Sequence, residues 1–156
     1  MKISIINIAN KMPQWILSGC EEYLKRINHG KYSCQIIEIK ADKNNKKTVL
    51  ENMEIEAKKI EAAIPRDSFI IALDERGKIL DSIKSAQFMN KTSVQNSSIC
   101  FIIGGADGIH PELRAKANFS ISLSSMVFPH ALVRVIILEQ LYRAISILEN
   151  HPYHRE

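Results

Sequence analysis

The chain is short of everything that would take it out of the ordinary cytoplasm. Its three cysteines, Cys20, Cys34 and Cys100, are an odd number with no C-x-x-C spacing, and each sits among apolar neighbours. That pattern reads as small core hydrophobes and leaves no disulfide framework or thiolate metal knot. No apolar run approaches 18 residues without a charge, so nothing is expected to span a membrane. The opening M-K-I-S-I-I-N-I lacks the length and the small-residue cleavage site of a signal peptide. Without secretion the sequons at Asn90, Asn96 and Asn118 are never read. The expected location is cytoplasmic. There is no internal repeat and no linker long enough to divide the 156 residues, so residues 1–156 are expected to form one domain. The net charge of +4 is a mild lean that an anionic partner would suit and does not require. A G-x-G-x-x-G fingerprint is missing too, which argues against a dinucleotide oxidoreductase.

What is present alternates between strand and helix. Lys2–Ile8 and Tyr32–Ile39 alternate as strands, and the apolar positions from Trp15 to Ile27 recur at helical spacing behind Pro13. A second helix is expected over Thr48–Ala63. Ser68–Asp74 and Ser98–Ile103 are near-continuous apolar runs, the kind buried on both faces of a parallel sheet. The residues Asp74 to Lys78 predict a turn, Asp81–Met89 a helix, Pro111–Ala117 a short helix, Phe119–Leu123 a last strand and Leu132–Leu148 a long helix. This is an α/β pattern with a mainly parallel sheet and helices on both faces.

In such a sheet ligands bind beyond the carboxyl ends of the strands. Three loops fall there: the one after Leu73, the Gly104-Gly105 loop with its Asp107-Gly108 turn pair, and the one after Leu123. Gly104-Gly105 would let a backbone approach a ligand closely, or form a plain strand-to-helix turn. The segment Leu123, Ser124, Ser125, Met126, Val127, Phe128, Pro129 mixes apolar side chains with unpaired amides and suits a flat heterocycle, amides on its edge and side chains on its faces.

Three further features stay open on the residues alone. Arg134 lies roughly 140° around its helix from Glu139, among valines and isoleucines, and must meet a carboxylate or phosphate. It is either part of an interfacial ion pair or an anion contact in the pocket. A helix so apolar around its circumference also implies burial by a second subunit. The lysine-rich Lys40–Lys47 segment is either a solvated loop or a flap reaching for phosphates. The terminal H-P-Y-H-R-E either frays or folds over the pocket, to contact nucleic acid or move a proton. His151 and His154 do not make a metal set, because Pro152 breaks the helix that would align them and no third ligand is evident.

Taken together, K-M-P-x-W, E-Y-L-K-R, I-I-E-I, L-D-E-R-G-K, I-G-G-A-D-G, F-P-H, R-V, E-Q-L-Y-R-A and H-P-Y-H-R closely resemble the ribosomal RNA large subunit methyltransferase H family, of the SPOUT class. The resemblance runs end to end. It implies a carboxyl-terminal trefoil knot, a homodimer, S-adenosylmethionine as methyl donor and no metal. The implied reaction is methylation of N3 of a pseudouridine in the helix 69 loop of 23S rRNA within the ribosome, with RNA rather than DNA or membrane as partner. Carried over by position, the cofactor site is Leu73, Gly104, Gly105 and Leu123 to Phe128. His130, Arg134, Tyr153, His154 and Arg155 lie around the target base, with His154 or His130 as proton acceptor. Ser125 stands where a lysine is common and Val127 where a threonine is common; backbone contacts to adenine survive both changes. A non-catalytic RNA-binding or ribosome-assembly factor of the same fold is the rival reading, and would not need the methionine-cofactor loop.

Overall fold

The computed structural model describes residues 1–41 and 46–155. Asp42, Lys43, Asn44 and Asn45, the middle of the expected lysine flap, lie outside the described residues, as does Glu156. The element order is β1 (Lys2–Ile8), α1 (Gln14–Ile27), β2 (Ser33–Ile39), α2 (Val49–Ala63), β3 (Phe69–Ile79), α3 (Ser82–Gln95), β4 (Ser98–Ile103), α4 (Pro111–Lys116), β5 (Phe119–Ser122) and α5 (His130–Leu148). The strands form one sheet in the order β2-β1-β4-β3-β5, parallel at every pairing.

Alternation along the strands sorts the core into two layers. Ile3 and Ile5 of β1 and Ile99, Phe101 and Ile103 of β4 face α1, α3 and α5. Ile6, Ile8, Cys100 and Ile102 face α2 and α4. All six residues of β4 are buried, as a strand covered on both sides requires. Each fully buried isoleucine contributes about 1.5–3 kcal/mol, so the two central strands β1 and β4 are large local sources of stability. Burial also pushes the thiols of Cys34 and Cys100 up to about 12, and that of Cys20 above its ordinary value. They stay protonated and act as core hydrophobes.

The helices follow local signals. Thr48 caps α2 in a reciprocal box with Glu51, and Asp81 caps α3 by accepting from the Lys84 amide. α3 runs six residues beyond the expected Met89. Its poorly helical N-K-T-S stretch is held because Thr92 is buried and donates to the Phe88 carbonyl at 2.8 Å. α1 and α3 carry the chain one way across one face, while α2 and α4 carry it back across the other, so all crossovers have one hand. α5 returns from the edge strand β5 and packs between α1 and α3.

The largest departure from expectation is at Asp74–Lys78. These residues do not end the strand. β3 leaves the ladder after Leu73 and resumes at Lys78, and both residues pair with Ile121 of β5. Gly77 makes this possible: a Cβ there would lie 2.5 Å from the Ile121 carbonyl carbon. The result is a bulged excursion over residues 74–77 at the carboxyl edge of the sheet.

Candidate active site

Adjacent strands β3 and β4 send their chains to opposite faces, so a crevice opens between their carboxyl ends. There lies a cleft of about 420 Å³. Its walls are residues 73–76, the Gly105–Ile109 turn, and residues 121–124 and 126–130 running into the first turn of α5.

The glycine turn is built by close packing. A Cβ on Gly104 would sit 2.6 Å from the Gly108 carbonyl carbon and 2.8 Å from the Ile109 nitrogen. Gly108 has φ +85°, and its amide donates to the Gly105 carbonyl at 3.0 Å. Gly104 is therefore buried and holds the turn, while Gly105 faces the cleft. On the opposite wall Ser122 Oγ donates to the Ser124 carbonyl at 2.9 Å, and Ser124 Oγ accepts from the Met126 amide at 2.9 Å. Among the described residues nothing accepts from the amides of Ser125, Val127 or Phe128. Met126 and Val127 remain 74% and 88% exposed, so apolar side chains and orphan amides face outward together. This is the combination that fits the edge and faces of a flat heterocycle.

Of the candidate cofactor residues, Leu73, Gly105, Leu123, Ser124, Met126, Val127 and Phe128 line the cleft. Gly104 and Ser125 do not: the first is spent on the turn, and the second lies outside the cleft wall. His130, the first residue of α5, lines it as well. The other four candidates do not.

Arg134 is 1% exposed and points away from the cleft, toward the far strands. Its Nη1 donates to Glu38 Oε1 of β2 at 2.7 Å. With the Asn7 amide turned oxygen-inward, Nε and Nη2 donate to it at 3.3 and 2.5 Å. Arg134 meets a carboxylate, as its burial requires, and that carboxylate comes from β2 of its own chain. The tail is ordered but folds elsewhere. Asn150, at φ 54°, closes α5 with the Asn150 and His151 amides donating to Ile147 and Ser146 carbonyls. Tyr153 then stacks edge-on against Tyr142 and donates to Glu139 Oε1 at 3.1 Å. Having one proton, it must accept from Tyr23 at 3.3 Å. Burial, together with these neighbours, pushes the Tyr153 phenol well above its ordinary range. Glu139 also accepts from Arg143 Nε at 3.0 Å. Glu139 is nine residues beyond His130, or roughly 14 Å along the helix at ~1.5 Å per residue. Tyr153 and His154 are thus anchored away from their own chain's cleft, and Arg155 is exposed.

His154 is poorly served there. Arg143 Nη1 sits 3.3 Å from Nδ1, and as a cation it can only donate, which puts the imidazole proton on Nε2. Among the described residues, Nε2 is buried with no partner. An unsatisfied donor of this kind costs about 1–3 kcal/mol.

Asp74, Arg76 and Arg114 were not among the candidates. Arg76 donates to Asp74 through its amide at 2.9 Å, Nε at 3.0 Å and Nη2 at 3.2 Å. Arg114 Nη1 of α4 reaches the same carboxylate at 3.4 Å. Burial alone would raise the Asp74 carboxyl, but the two arginines outweigh it and hold it below the usual carboxylate range. The alternation of L-D-E-R-G-K hid this cluster, because a turn would have left those charges in water.

The whole chain has relatives. Residues 1–154 match the family described as "Predicted SPOUT methyltransferase". The chain belongs to the SPOUT methyltransferase family. It is 45% identical over 156 residues to the ribosomal RNA large subunit methyltransferase H of Ralstonia pickettii (strain 12J), covering 99% of both chains. It is 46% identical over 158 residues to the protein of that name from Janthinobacterium sp. (strain Marseille), again with 99% of each covered. The five-stranded parallel sheet with helices on both faces agrees with this SPOUT assignment. No helix among the described residues of this SPOUT methyltransferase is long and apolar enough to cross a membrane.

Proposed function

We propose that this methyltransferase moves a methyl group from S-adenosylmethionine to N3 of a pseudouridine in the helix 69 loop of 23S rRNA, as a cytoplasmic homodimer. The observation that carries the reading is the cleft at the β3/β4 crevice. One wall is a glycine turn, the other a loop whose amides at residues 127 and 128 have no acceptor among the described residues. Those amides and the exposed Met126 and Val127 fit an adenine, and Gly105 belongs to the facing wall. S-adenosylmethionine, when bound, supplies an electrophilic methyl carbon. Because displacement at carbon is in-line, the protein's main task is to align the target nitrogen with that carbon.

N3 of the target carries a proton, and a positioned base removing it is worth ~10²–10⁴ in rate. His130 stands at the cleft and can accept it. His154 is the second candidate, and its route explains the need for a dimer. Its own chain holds it roughly 14 Å or more from the cleft, so a second copy must bring Tyr153, His154 and Arg155 to the target base. The buried Nε2 of His154, which has no partner among the described residues, favours release of the tail from its resting place. The half-buried apolar surface of α5 at Leu132, Val133 and Ile136 supplies a face for the partner. The same reading includes the trefoil knot, with α5 drawn back behind the 123–129 loop.

The experiment is methyl transfer from labelled S-adenosylmethionine to ribosomes that lack the modification, with the nucleotide mapped. Label at a single uracil-derived N3 is expected. Calorimetry with S-adenosylmethionine accompanies it: no cofactor binding would favour a non-catalytic RNA-binding protein and overturn the proposal. Alanine at His130 and at His154 should slow turnover far more than it weakens cofactor binding. If neither slows it, the base is not a histidine.

A further inference from the structure

Beside the cleft, behind the 74–77 excursion, lies a second hollow of about 400 Å³ between β3, α4 and β5. It shares Asp74 and Arg76 with the cleft and adds Arg114 and Ser120, over small walls at Gly77 and Ala115. Its chemistry is cationic by construction. Two guanidiniums from different elements are aimed by one carboxylate that is only 6% exposed. One carboxylate cannot neutralise two arginines, so a unit of positive charge is left over. It also cannot use all their donors: among the described residues Arg76 Nη1 and Arg114 Nε and Nη2 make no hydrogen bond. Glu75, the other acid of the excursion, lines the cleft and not this hollow.

We infer that this hollow binds a backbone phosphate of the RNA, next to the nucleotide whose base enters the cleft. The inference rests on the methyl-transfer reading and extends it by naming where the substrate backbone lies. Forked, pre-aimed guanidiniums match phosphate oxygens in pairs, which mobile lysines do not. A base inserted into the cleft must leave its own sugar-phosphate at the rim. The rim side formed by Asp74 and Arg76 opens directly onto this hollow. Asp74 is a positioning residue: it holds both arginines in place before the RNA arrives.

The test uses full-length protein and 70S ribosomes lacking the modification, with affinity measured between about 50 and 200 mM salt. Arg114→Gln is expected to flatten the dependence of log K on log salt by about 0.7, the loss of one phosphate contact. Arg76→Gln should do the same, and Arg114→Lys should restore most of the slope, since charge alone sets it. KM should rise in the glutamine variants more than kcat falls. Arg114 touches only the hollow, so cofactor affinity by calorimetry should match the parent in Arg114→Gln. Unchanged slopes in both glutamine variants overturn the inference. So does weakened cofactor binding with an unchanged slope, which would give the hollow to the cofactor's carboxylate. If the parent protein binds ribosomes but transfers no methyl group, the proposed reaction fails while the slopes still read the hollow.

Discussion

Substituting Gly104 and Gly105 separately, one alanine at a time, asks whether the glycine turn is clamped by its own backbone. The added Cβ of Gly104→Ala falls within 2.6–2.8 Å of three backbone atoms, of Gly108 and Ile109. None of these can rotate away, so the turn must open. Overpacking of this kind costs about 1–3 kcal/mol. For a chain of this length each kcal/mol moves Tm by about 2–4 °C, so the expected drop is roughly 2–12 °C. The Cβ of Gly105→Ala instead meets the Glu56 carboxylate and a methyl of Ile8, each at 3.2 Å. These contacts ask the neighbours to give by only a few tenths of an ångström, where Gly104→Ala meets fixed backbone below 3 Å, so the expected cost is the smaller of the two. Calorimetric melting of the two variants gives the stability difference, and titration with S-adenosylmethionine the consequence for the cleft. Gly104→Ala should lose affinity although residue 104 never faces the ligand, because Gly108 and Ile109 move with it. Equal melting temperatures, or Gly105→Ala as the worse variant, would show that the turn is not held as described.

Glu38→Ala should cost about 2–3 kcal/mol, because it leaves the buried Arg134 guanidinium with Asn7 alone, and Glu38 is itself half in water. Urea denaturation in low and high salt checks this: the loss should persist in salt, whereas the exposed pair of Glu54 and Lys58 should matter little in either. Asp74 titrates below its ordinary 3.8 in the folded chain, so its contribution to stability is complete above that value and disappears as pH falls through the lower, folded one. The difference in urea midpoint between the parent and Asp74→Asn should therefore be constant near neutrality and shrink below about pH 4. If a second copy supplies the tail, mixing a His130→Ala protein with one truncated after Asn150 should recover activity that neither has alone, approaching about a quarter of the parent's when subunits exchange at random. No recovery after verified exchange would place tail and cleft in the same chain.

The sheet was legible because its signals are local: five apolar residues in a row at Ile99–Ile103 admit little but a strand buried on both faces. Loop positions were legible for the same reason, since strand ends locate the crevice. Arg134 was not. Its environment showed that a partner must exist, but Glu38 is 96 residues away and only strand order brings it near. The residues left the tail between fraying and folding over the pocket, because nothing in its local pattern shows that Tyr142, Tyr23 and Glu139 offer it a seat within its own chain. Asp74–Lys78 has turn composition, and it does bend. That β3 resumes afterwards depends on Gly77 lying against β5, a contact with no trace in the local pattern.

Ile121 pairs with β3 on both sides of the excursion, with Leu73 before it and Lys78 after it. The four residues between are thus a blister sewn shut at its base. Length or composition could change inside the stitch without slipping the strands on either side. Evolution, or a designer, can therefore rewrite what this rim offers to a substrate one side chain at a time, and the barrier to such tinkering is set by Gly77 rather than by the sheet.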